Sequence, residues 1–321
     1  MTELEVKELE EIFSTPLKYY YYRDKFLIDR LIRKRACSNE LKVQDIKGTF
    51  TEKLLQKEWF VNSFLAKSNK PIISVEGLEH YWPENTIEFE ISVSSWGEIP
   101  KKHRKDKWLQ TSRSGYNLVL QVNLNQEHLK LYNSWLKPKW HGEGIFNCTC
   151  HPVSEKDITL GWIRLDIDFV TSEVLIEEIQ TDWVREVNSL AKNLKVAKNE
   201  NIQKILRNEG IQGSLDDFWK YFNYLKPVSK IWDELFLSVA IWFSKIELGI
   251  DNLWMHTFES CLLFKDQIDS KPPKSLYSKL PKRMGFEVTD NSPEFLKNEV
   301  YLKRYFRKAE REKTRWYRYY E

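Results

Sequence analysis

The sequence predicts an α+β protein with a largely antiparallel, mixed sheet flanked by helices and a helical N-terminal region. Apolar residues recur at helical spacing through the first seventy residues. From residue 86 onward, polar and apolar side chains alternate in segments of strand length. Helical segments separate these strands as far as the C-terminus. With 41% hydrophobic residues among 321, the chain can bury a sizeable core.

The composition excludes several classes of protein. Fifty Lys and Arg against forty-seven Asp and Glu leave a formal net charge of +3, which excludes a uniformly basic nucleic-acid-binding protein. An aromatic content of 14% argues against disorder. The Glu-rich start is unlike a signal peptide, and the longest apolar run, residues 235–243, is far shorter than the roughly 20 residues of a membrane-spanning helix. We therefore expect a cytoplasmic protein without a membrane partner.

Residues 1–70 are predicted to form the helical N-terminal region. A short acidic helix stops before Pro16, a second helix covers residues 20–36, and a third covers residues 50–66. The segment that follows contains Pro and Gly and marks the start of an α+β core over residues 71–293.

The core is predicted from alternation and from helical spacing. Strands are expected at residues 86–94, 116–124, 158–169, 174–183 and 253–258. Helices are expected at residues 127–136, within 182–227, and at 229–249, the last of which is apolar on nearly all sides and so should be buried. A basic loop covers residues 97–114.

The strands at residues 158–169 and 174–183 read as a β-hairpin with one apolar and one charged face. If Asp168 pairs with Val174 across the turn, Arg164 lies opposite Glu178, a favourable cross-strand pair. One interpretation is a solvent-facing surface with salt bridges. The other is the floor of a polar cleft into which three side chains project: Glu178, Gln180 and Asp182. A carboxylate in such a cleft can act as a general base when burial or a like charge raises its pKa.

Residues 176–183, IEEIQTDW, resemble the EIQSDW motif of a domain found in large polyvalent proteins of phages and conjugative elements. Three further features of that domain follow in order: a Trp-containing helix (WDELFLSVAIWF), a short strand (NLWMHTF) and the segment LYSKLPKRMGF. The match covers well under half of the chain. It implies a setting in mobile elements or in host–phage conflict.

The same order of elements is similar to the second half of the GNAT acyltransferase fold. This resemblance implies that Tyr277 is the general acid for a leaving thiolate, that Glu178 or Asp182 is the base, and that acyl-CoA is a candidate cofactor. GNAT enzymes hold a pyrophosphate with a Gly-rich turn directly after the second strand. Residues 181–193 of this chain contain no glycine. The expected function is therefore that of a divergent GNAT-like transferase of unknown substrate.

The cysteines and histidines are not predicted to form a metal site. Cys148, Cys150 and His151 lack the C-x₂₋₄-C spacing and the second ligand pair that zinc sites usually have. On a strand, Cys150 and His151 would point to opposite faces, which argues against cysteine catalysis. We expect both cysteines to be small buried apolar residues. His141 and His151 remain candidate cleft residues, and His256 is expected to be a core histidine with hydrogen-bond partners.

Residues 294–321 are predicted to form a basic, aromatic C-terminal helix. From residue 297 onward this segment carries nine basic and four acidic residues among seven aromatic ones. It either packs its aromatic side chains on the body of the protein or binds nucleic acid through phosphate contacts and base stacking. The candidate nucleic-acid-binding residues are Lys303, Arg304, Arg307 and Lys308. A non-catalytic module that binds nucleic acid or a protein partner is thus the alternative to a transferase.

Overall fold

The strands of the molecule belong to one large and one small sheet. The computed structural model describes residues 1–34, 40–65, 72–98, 110–139, 144–148, 150–154, 157–265 and 272–320. Its strands are β1 (Leu17–Tyr21), β2 (Glu40–Lys42), β3 (Ile72–Ser74), β4 (Ile87–Glu98), β5 (Gly115–Leu124), β6 (Thr159–Asp168), β7 (Glu173–Gln180), β8 (Asn252–His256), β9 (Phe286–Thr289) and β10 (Trp316–Tyr319). Strands β2 and β3 pair with each other, and the rest form a single sheet.

Helices flank the large sheet. The α-helices are α1 (Glu3–Ile12), α2 (Lys25–Lys34), α3 (Val43–Ile46), α4 (Glu58–Phe60), α5 (Val75–Glu79), α6 (Gln126–Leu136), α7 (Asp182–Val196), α8 (Asn199–Asn208), α9 (Leu215–Ser229), α10 (Trp232–Trp242), α11 (Phe258–Phe264), α12 (Lys279–Arg283), α13 (Glu294–Lys297) and α14 (Lys303–Arg311). The 3₁₀ turns are Phe50–Gln56, Lys274–Tyr277 and Val300–Leu302, and the π turns are Val61–Leu65 and Phe243–Glu247. No helix within these ranges is long and apolar enough to cross a membrane.

The large sheet has eight strands in the order β1-β4-β5-β6-β7-β8-β10-β9. Its neighbours are antiparallel except β7 and β8, which run parallel and pair as far as Ile176 and Met255. Beyond that point β7 continues to Gln180 on β6, whereas His256 at the end of β8 pairs with β10. The two parallel strands are therefore no longer paired at their carboxyl ends. The predicted α+β class with a largely antiparallel sheet is confirmed.

Helix α10 packs directly on the sheet and is buried, as its apolar pattern predicts. A glycine permits the close approach: a Cβ on Gly161 of β6 would lie 2.5 Å from the Phe236 ring. The polar ends of two tyrosines on β1 also reach α10. The Tyr19 hydroxyl donates to Ser238 Oγ (3.1 Å), and the Tyr21 hydroxyl donates to Glu234 Oε1 (2.6 Å).

Two of the predicted helices in the N-terminal region need correction. Residues 17–21 form the edge strand β1, so the second helix begins at Lys25 rather than at Tyr20. Tyr19 and Tyr21 alternate with exposed neighbours and become buried against α10, which favours a strand. The third predicted helix is instead a 3₁₀ turn, the short helix α4 and a π turn. Strand β1 makes part of residues 1–70 an edge of the main sheet.

The C-terminal segment is not one helix. Helix α14 ends at Arg311, Lys313 adopts a left-handed conformation (φ +52°), and β10 then enters the sheet between β8 and β9. Trp316, Tyr317 and Tyr319 are buried there, at most 4% exposed. Aromatic side chains are favourable in a strand that has a partner on each side. This pairing with β8 and β9 outweighs the helical pattern of the local sequence.

Candidate functional site

Two groups of polar side chains lie at the carboxyl ends of β7 and β8. In open α/β sheets, ligands characteristically bind outside the carboxyl ends of parallel strands, and β7 and β8 are the parallel pair of this sheet. The buried cluster consists of Ser112, Glu177, His256, Ser260 and Lys265. The surface cluster consists of Cys148, Cys150, His151, Gln180, Asp182 and Arg185.

A β-bulge turns Glu177 into the buried cluster. Strand β7 pairs Glu178 with Arg164 but Ile176 with Leu165, so Glu177 is the extra residue between two ladder positions. Bulges redirect side chains in this way and are common beside functional sites. Strict alternation would have placed this carboxylate on the apolar face of the strand.

The Glu177 carboxylate is completely buried and fully partnered. Ser112 donates its N–H to Oε1 (2.9 Å) and its hydroxyl to Oε2 (3.0 Å). Lys265 Nζ lies 3.3 Å from Oε2 and also donates to the main-chain carbonyl of Glu177. Burial would raise the pKa of Glu177, but Lys265, His256 and Ser112 outweigh it and hold that pKa far below its ordinary value. The cluster thus contains a buried ion pair.

Ser112 and His256 have the spacing of a nucleophile and its base but the wrong proton arrangement. Ser112 Oγ lies 2.8 Å from His256 Nε2. The single hydroxyl proton of Ser112 goes to the ionised carboxylate of Glu177, so Oγ accepts a hydrogen bond from Nε2. His256 therefore cannot remove a proton from Ser112. As predicted, His256 is a buried histidine with hydrogen-bond partners, and the cluster links β7 and β8.

The predicted pair of Arg164 and Glu178 is confirmed, although the hairpin register is one residue off at the turn. Arg164 forms an ion pair with Glu178, while Val174 pairs with Ile167 rather than with Asp168. Burial would raise the pKa of Glu178, but Arg164 outweighs it and lowers that pKa. A carboxylate that is held in this pair is a weak base.

Tyr277 lies inside the protein, in the 3₁₀ turn before α12. It is 2% exposed. Burial, together with neighbouring Cys261 and Glu178, raises its pKa well above the ordinary value. Tyr277 lies near Glu178, as a pair of catalytic acid and base would require. It is buried, however, rather than exposed in a cleft.

Gln180 and Asp182 do not both project from one strand, because β7 ends before Asp182. The Thr181 side chain accepts a hydrogen bond from the Val184 N–H and caps α7, whose first residue is Asp182. The two predicted side chains still meet, since Gln180 Nε2 donates to Asp182 Oδ1 (3.3 Å).

Asp182 orients His151, which sequence reasoning had left as a candidate cleft residue. His151 Nδ1 lies 2.6 Å from Asp182 Oδ2, and Arg185 donates to Oδ1 (2.5 Å). Burial would raise the pKa of Asp182, but His151, Arg185 and Gln180 lower it below its ordinary value. The ionised carboxylate accepts the Nδ1 proton, so Nε2 is the ring nitrogen that is not held by Asp182. The His151 side chain is 30% exposed and packs on Trp162, so this is the arrangement of an accessible general base.

Cys148 and Cys150 lie next to His151. They form a disulfide with Cα atoms 5.3 Å apart, and Cys148 is half-buried whereas Cys150 is exposed. The expectation of two small buried apolar residues is therefore wrong. These residues lie in a turn before β6 rather than on a strand, so their side chains need not alternate. The two sulfurs and a His151 ring nitrogen all lie within 4.8 Å of one another. His141 and Cys37 lie outside the described residues.

Helix α14 presents all four predicted nucleic-acid-binding residues to solvent: Lys303, Arg304, Arg307 and Lys308. Most neighbouring aromatic residues are not available for base stacking, because Tyr305, Trp316, Tyr317 and Tyr319 are buried. The aromatic side chains thus pack on the body, which was one of the two expectations. Most of the basic loop, residues 99–109, lies outside the described ranges.

No protein-family model, no curated protein and no solved structure matches this chain. Its site is therefore interpreted from its own geometry. Sequence reasoning missed Glu177, Ser112 and Lys265. One signal was available: two consecutive glutamates, Glu177 and Glu178, cannot both lie on the polar face of a regular strand, which indicates a bulge.

Proposed function

We propose that the chain is a divergent GNAT-like transferase whose donor binds at the carboxyl ends of β7 and β8. The observation that carries this proposal is the strand order. The antiparallel strands β1, β4, β5, β6 and β7 join the antiparallel strands β8, β10 and β9 through the parallel pair of β7 and β8. Along the chain, helices α7 to α10 connect β7 to β8. This order is similar to the strand pair, helix and strand of GNAT acyltransferases. Open α/β sheets also bind ligands at the carboxyl ends of their parallel strands.

His151 is the residue to which we assign the role of general base, and Asp182 is its positioning residue. An acceptor amine or hydroxyl would lose its proton to His151 Nε2 as it attacks the donor carbonyl. The C–S bond of the donor would then break, and the imidazolium would return that proton to the leaving thiolate. Glu178 is paired with Arg164 and takes no part in this scheme. Tyr277 would have to become exposed before it could protonate a leaving thiolate.

The favoured donor is a thioester without a pyrophosphate. The turn between β7 and α7 contains no glycine, and the first helical position carries the Asp182 carboxylate. A pyrophosphate placed at that helix end would meet a negative charge. Acyl-CoA is therefore a weaker candidate than a short acyl thioester.

The test compares two donors, S-acetyl-N-acetylcysteamine and acetyl-CoA, with polyamines, lysine peptides and aminoglycosides as acceptors. Release of the free thiol is measured by mass spectrometry. We expect acceptor-dependent release that is greater from the short thioester, and a rate about 10²- to 10⁴-fold lower in His151→Ala. Asp182→Asn should lower the rate as well, whereas His80→Ala, which changes an exposed histidine elsewhere, should not.

Two outcomes would overturn the transferase proposal. One is no acceptor-dependent release from either donor by the wild-type protein. The other is a wild-type rate in a His151→Ala protein whose circular dichroism shows that it is folded.

The second candidate function is nucleic-acid binding by α14, which the four exposed basic side chains favour. Buried aromatic residues leave phosphate contacts as the main source of affinity, so binding should weaken steeply with salt. Changing all four to Gln should abolish the fluorescence anisotropy increase of a labelled oligonucleotide at low salt. A control removes four exposed charges elsewhere: Lys192, Lys195, Lys204 and Arg207. Equal binding by both variants would exclude α14.

Two further expectations from the sequence, the setting in mobile elements and a protein partner, assign no residue to this site. The setting in mobile elements rests on the motif resemblance alone. A protein partner rests on the aromatic content of the sequence.

A further inference from the structure

We propose that Cys148, Cys150 and His151 form a redox-dependent binding site for a thiophilic divalent metal ion of the zinc class. The inference needs only the surface cluster and does not depend on the transferase proposal. Thiolate and imidazole are the ligands that zinc prefers in proteins.

The three ligand atoms are already nearly close enough to bind one ion. Each lies within 4.8 Å of the others. Zn–S bonds of about 2.3 Å and Zn–N bonds of about 2.0 Å in a tetrahedron separate two sulfurs by about 3.8 Å and a sulfur from a nitrogen by about 3.5 Å. Exposed Cys150 and half-exposed Cys148 and His151 can make such adjustments without disturbing the core.

A carboxylate beside the site supports the ligand role of His151. Metal-binding histidines characteristically donate their other ring N–H to a carboxylate, which orients the ring and makes it a better ligand. Asp182 Oδ2 stands 2.6 Å from His151 Nδ1 in this position, which leaves Nε2 for the metal. Gln180 and Arg185 both donate to Asp182 Oδ1 and so fix the carboxylate. The fixed carboxylate in turn orients the His151 imidazole before a metal ion binds.

The oxidation state of the cysteines decides whether the ion can bind. In the disulfide neither sulfur is a thiolate. A dithiol reductant attacks the exposed Cys150 sulfur and forms a mixed disulfide, and its second thiol then resolves this intermediate. The protein gains two electrons and two protons, and the reductant becomes a disulfide. When a divalent ion binds, the two thiols lose two protons, and two thiolates balance its charge.

Three protein ligands leave the fourth tetrahedral position to water or to an added ligand. The ion would also occupy the nitrogen that the transferase proposal assigns to the general base. A reduced, metal-loaded chain is therefore expected to be inactive in that assay. Metal binding and thiol release are measured separately, so failure of either proposal can be recognised without reference to the other.

The experiment uses Co²⁺ as the probe on the full chain, with and without prior reduction by a phosphine. We expect the reduced protein to bind one Co²⁺ with thiolate-to-cobalt charge-transfer absorption, and Zn²⁺ to displace it. The oxidised protein should show no such absorption. Cys148→Ser and Cys150→Ser should each abolish tight binding, and His151→Ala should weaken it. Asp182→Asn should keep the absorption but lower affinity about 10- to 100-fold, as loss of a carboxylate behind a metal ligand does.

The matched control is Cys261→Ala, which removes a buried thiol that is not part of the disulfide and should bind Co²⁺ like the wild type. The proposal is overturned if the reduced wild-type protein shows no charge-transfer absorption at saturating Co²⁺. It is also overturned if a Cys148→Ser/Cys150→Ser double variant binds like the wild type.

Discussion

Replacing Lys265 by Met tests the buried ion pair that lies at the carboxyl ends of β7 and β8. The side chains of Lys265 and Glu177 are both 0% exposed, and Met keeps most of the volume while it removes the charge. The Glu177 carboxylate would then remain buried without the charge of its lysine partner. Breaking one side of a buried pair costs about 3–5 kcal/mol, a large part of the roughly 5–15 kcal/mol that stabilises a typical protein.

The assay is urea unfolding at pH 7, followed by tryptophan fluorescence. Lys297→Met is the matched control, because Lys297 pairs with Glu294 at 3.0 Å but the two side chains are 42% and 58% exposed. Solvent screens that pair, so its loss should cost less than about 1 kcal/mol although its contact is the shorter one.

Combining Lys265→Met with Glu177→Gln should recover about 1–3 kcal/mol, since the buried charge is gone and Ser112 can still donate to the amide oxygen. The reasoning is wrong if Lys265→Met costs no more than the control. It is equally wrong if the double variant recovers nothing.

Two further predictions concern stability. Burial lowers the pKa of His128 from 6.5 to about 4, and its Nε2 lies 2.8 Å from the Tyr221 hydroxyl. The unfolded chain therefore takes up this proton at higher pH than the folded one, and stability should fall by about 3 kcal/mol as pH drops through that range. Urea unfolding of His128→Gln should lack this loss, and an identical pH dependence would contradict it. In Gly161→Ala the new Cβ would lie 2.3 Å from the main-chain oxygen of Gln180 on β7 and 2.5 Å from the Phe236 ring on α10, and should cost about 1–3 kcal/mol or more, whereas Gly77→Ala, with ordinary contacts, should be nearly neutral. Equal unfolding midpoints would show that the chain is not packed this tightly around Gly161.

Local sequence pattern was sufficient to predict strands β4 to β8 but not β1 or β10. Strands β4 to β8 were all predicted, with errors of a few residues in their ends. Strand β10 was not, because its four residues follow a long helical pattern and become a strand only between β8 and β9. The same holds for β1, whose tyrosines are stabilised by partners on α10 more than 200 residues away.

The candidate site was predictable where it follows local pattern and missed where it depends on distant contacts. Gln180 and Asp182 were predicted from the charged face of the hairpin. Ser112 and Lys265 lie 65 and 88 residues from Glu177 in the chain, and only the folded sheet brings them together. The bulge directs the Glu177 side chain into the buried cluster, whereas strict alternation predicts that it lies on the apolar face of the strand.

The central claim is that the carboxyl ends of β7 and β8 form the ligand site. Amide hydrogen exchange with and without S-acetyl-N-acetylcysteamine tests it most directly. We predict slower exchange with the donor at residues 177–184 and 256–265, and the same rates elsewhere in the described chain. Unchanged exchange at both segments, or protection confined to another part of the molecule, would contradict the claim.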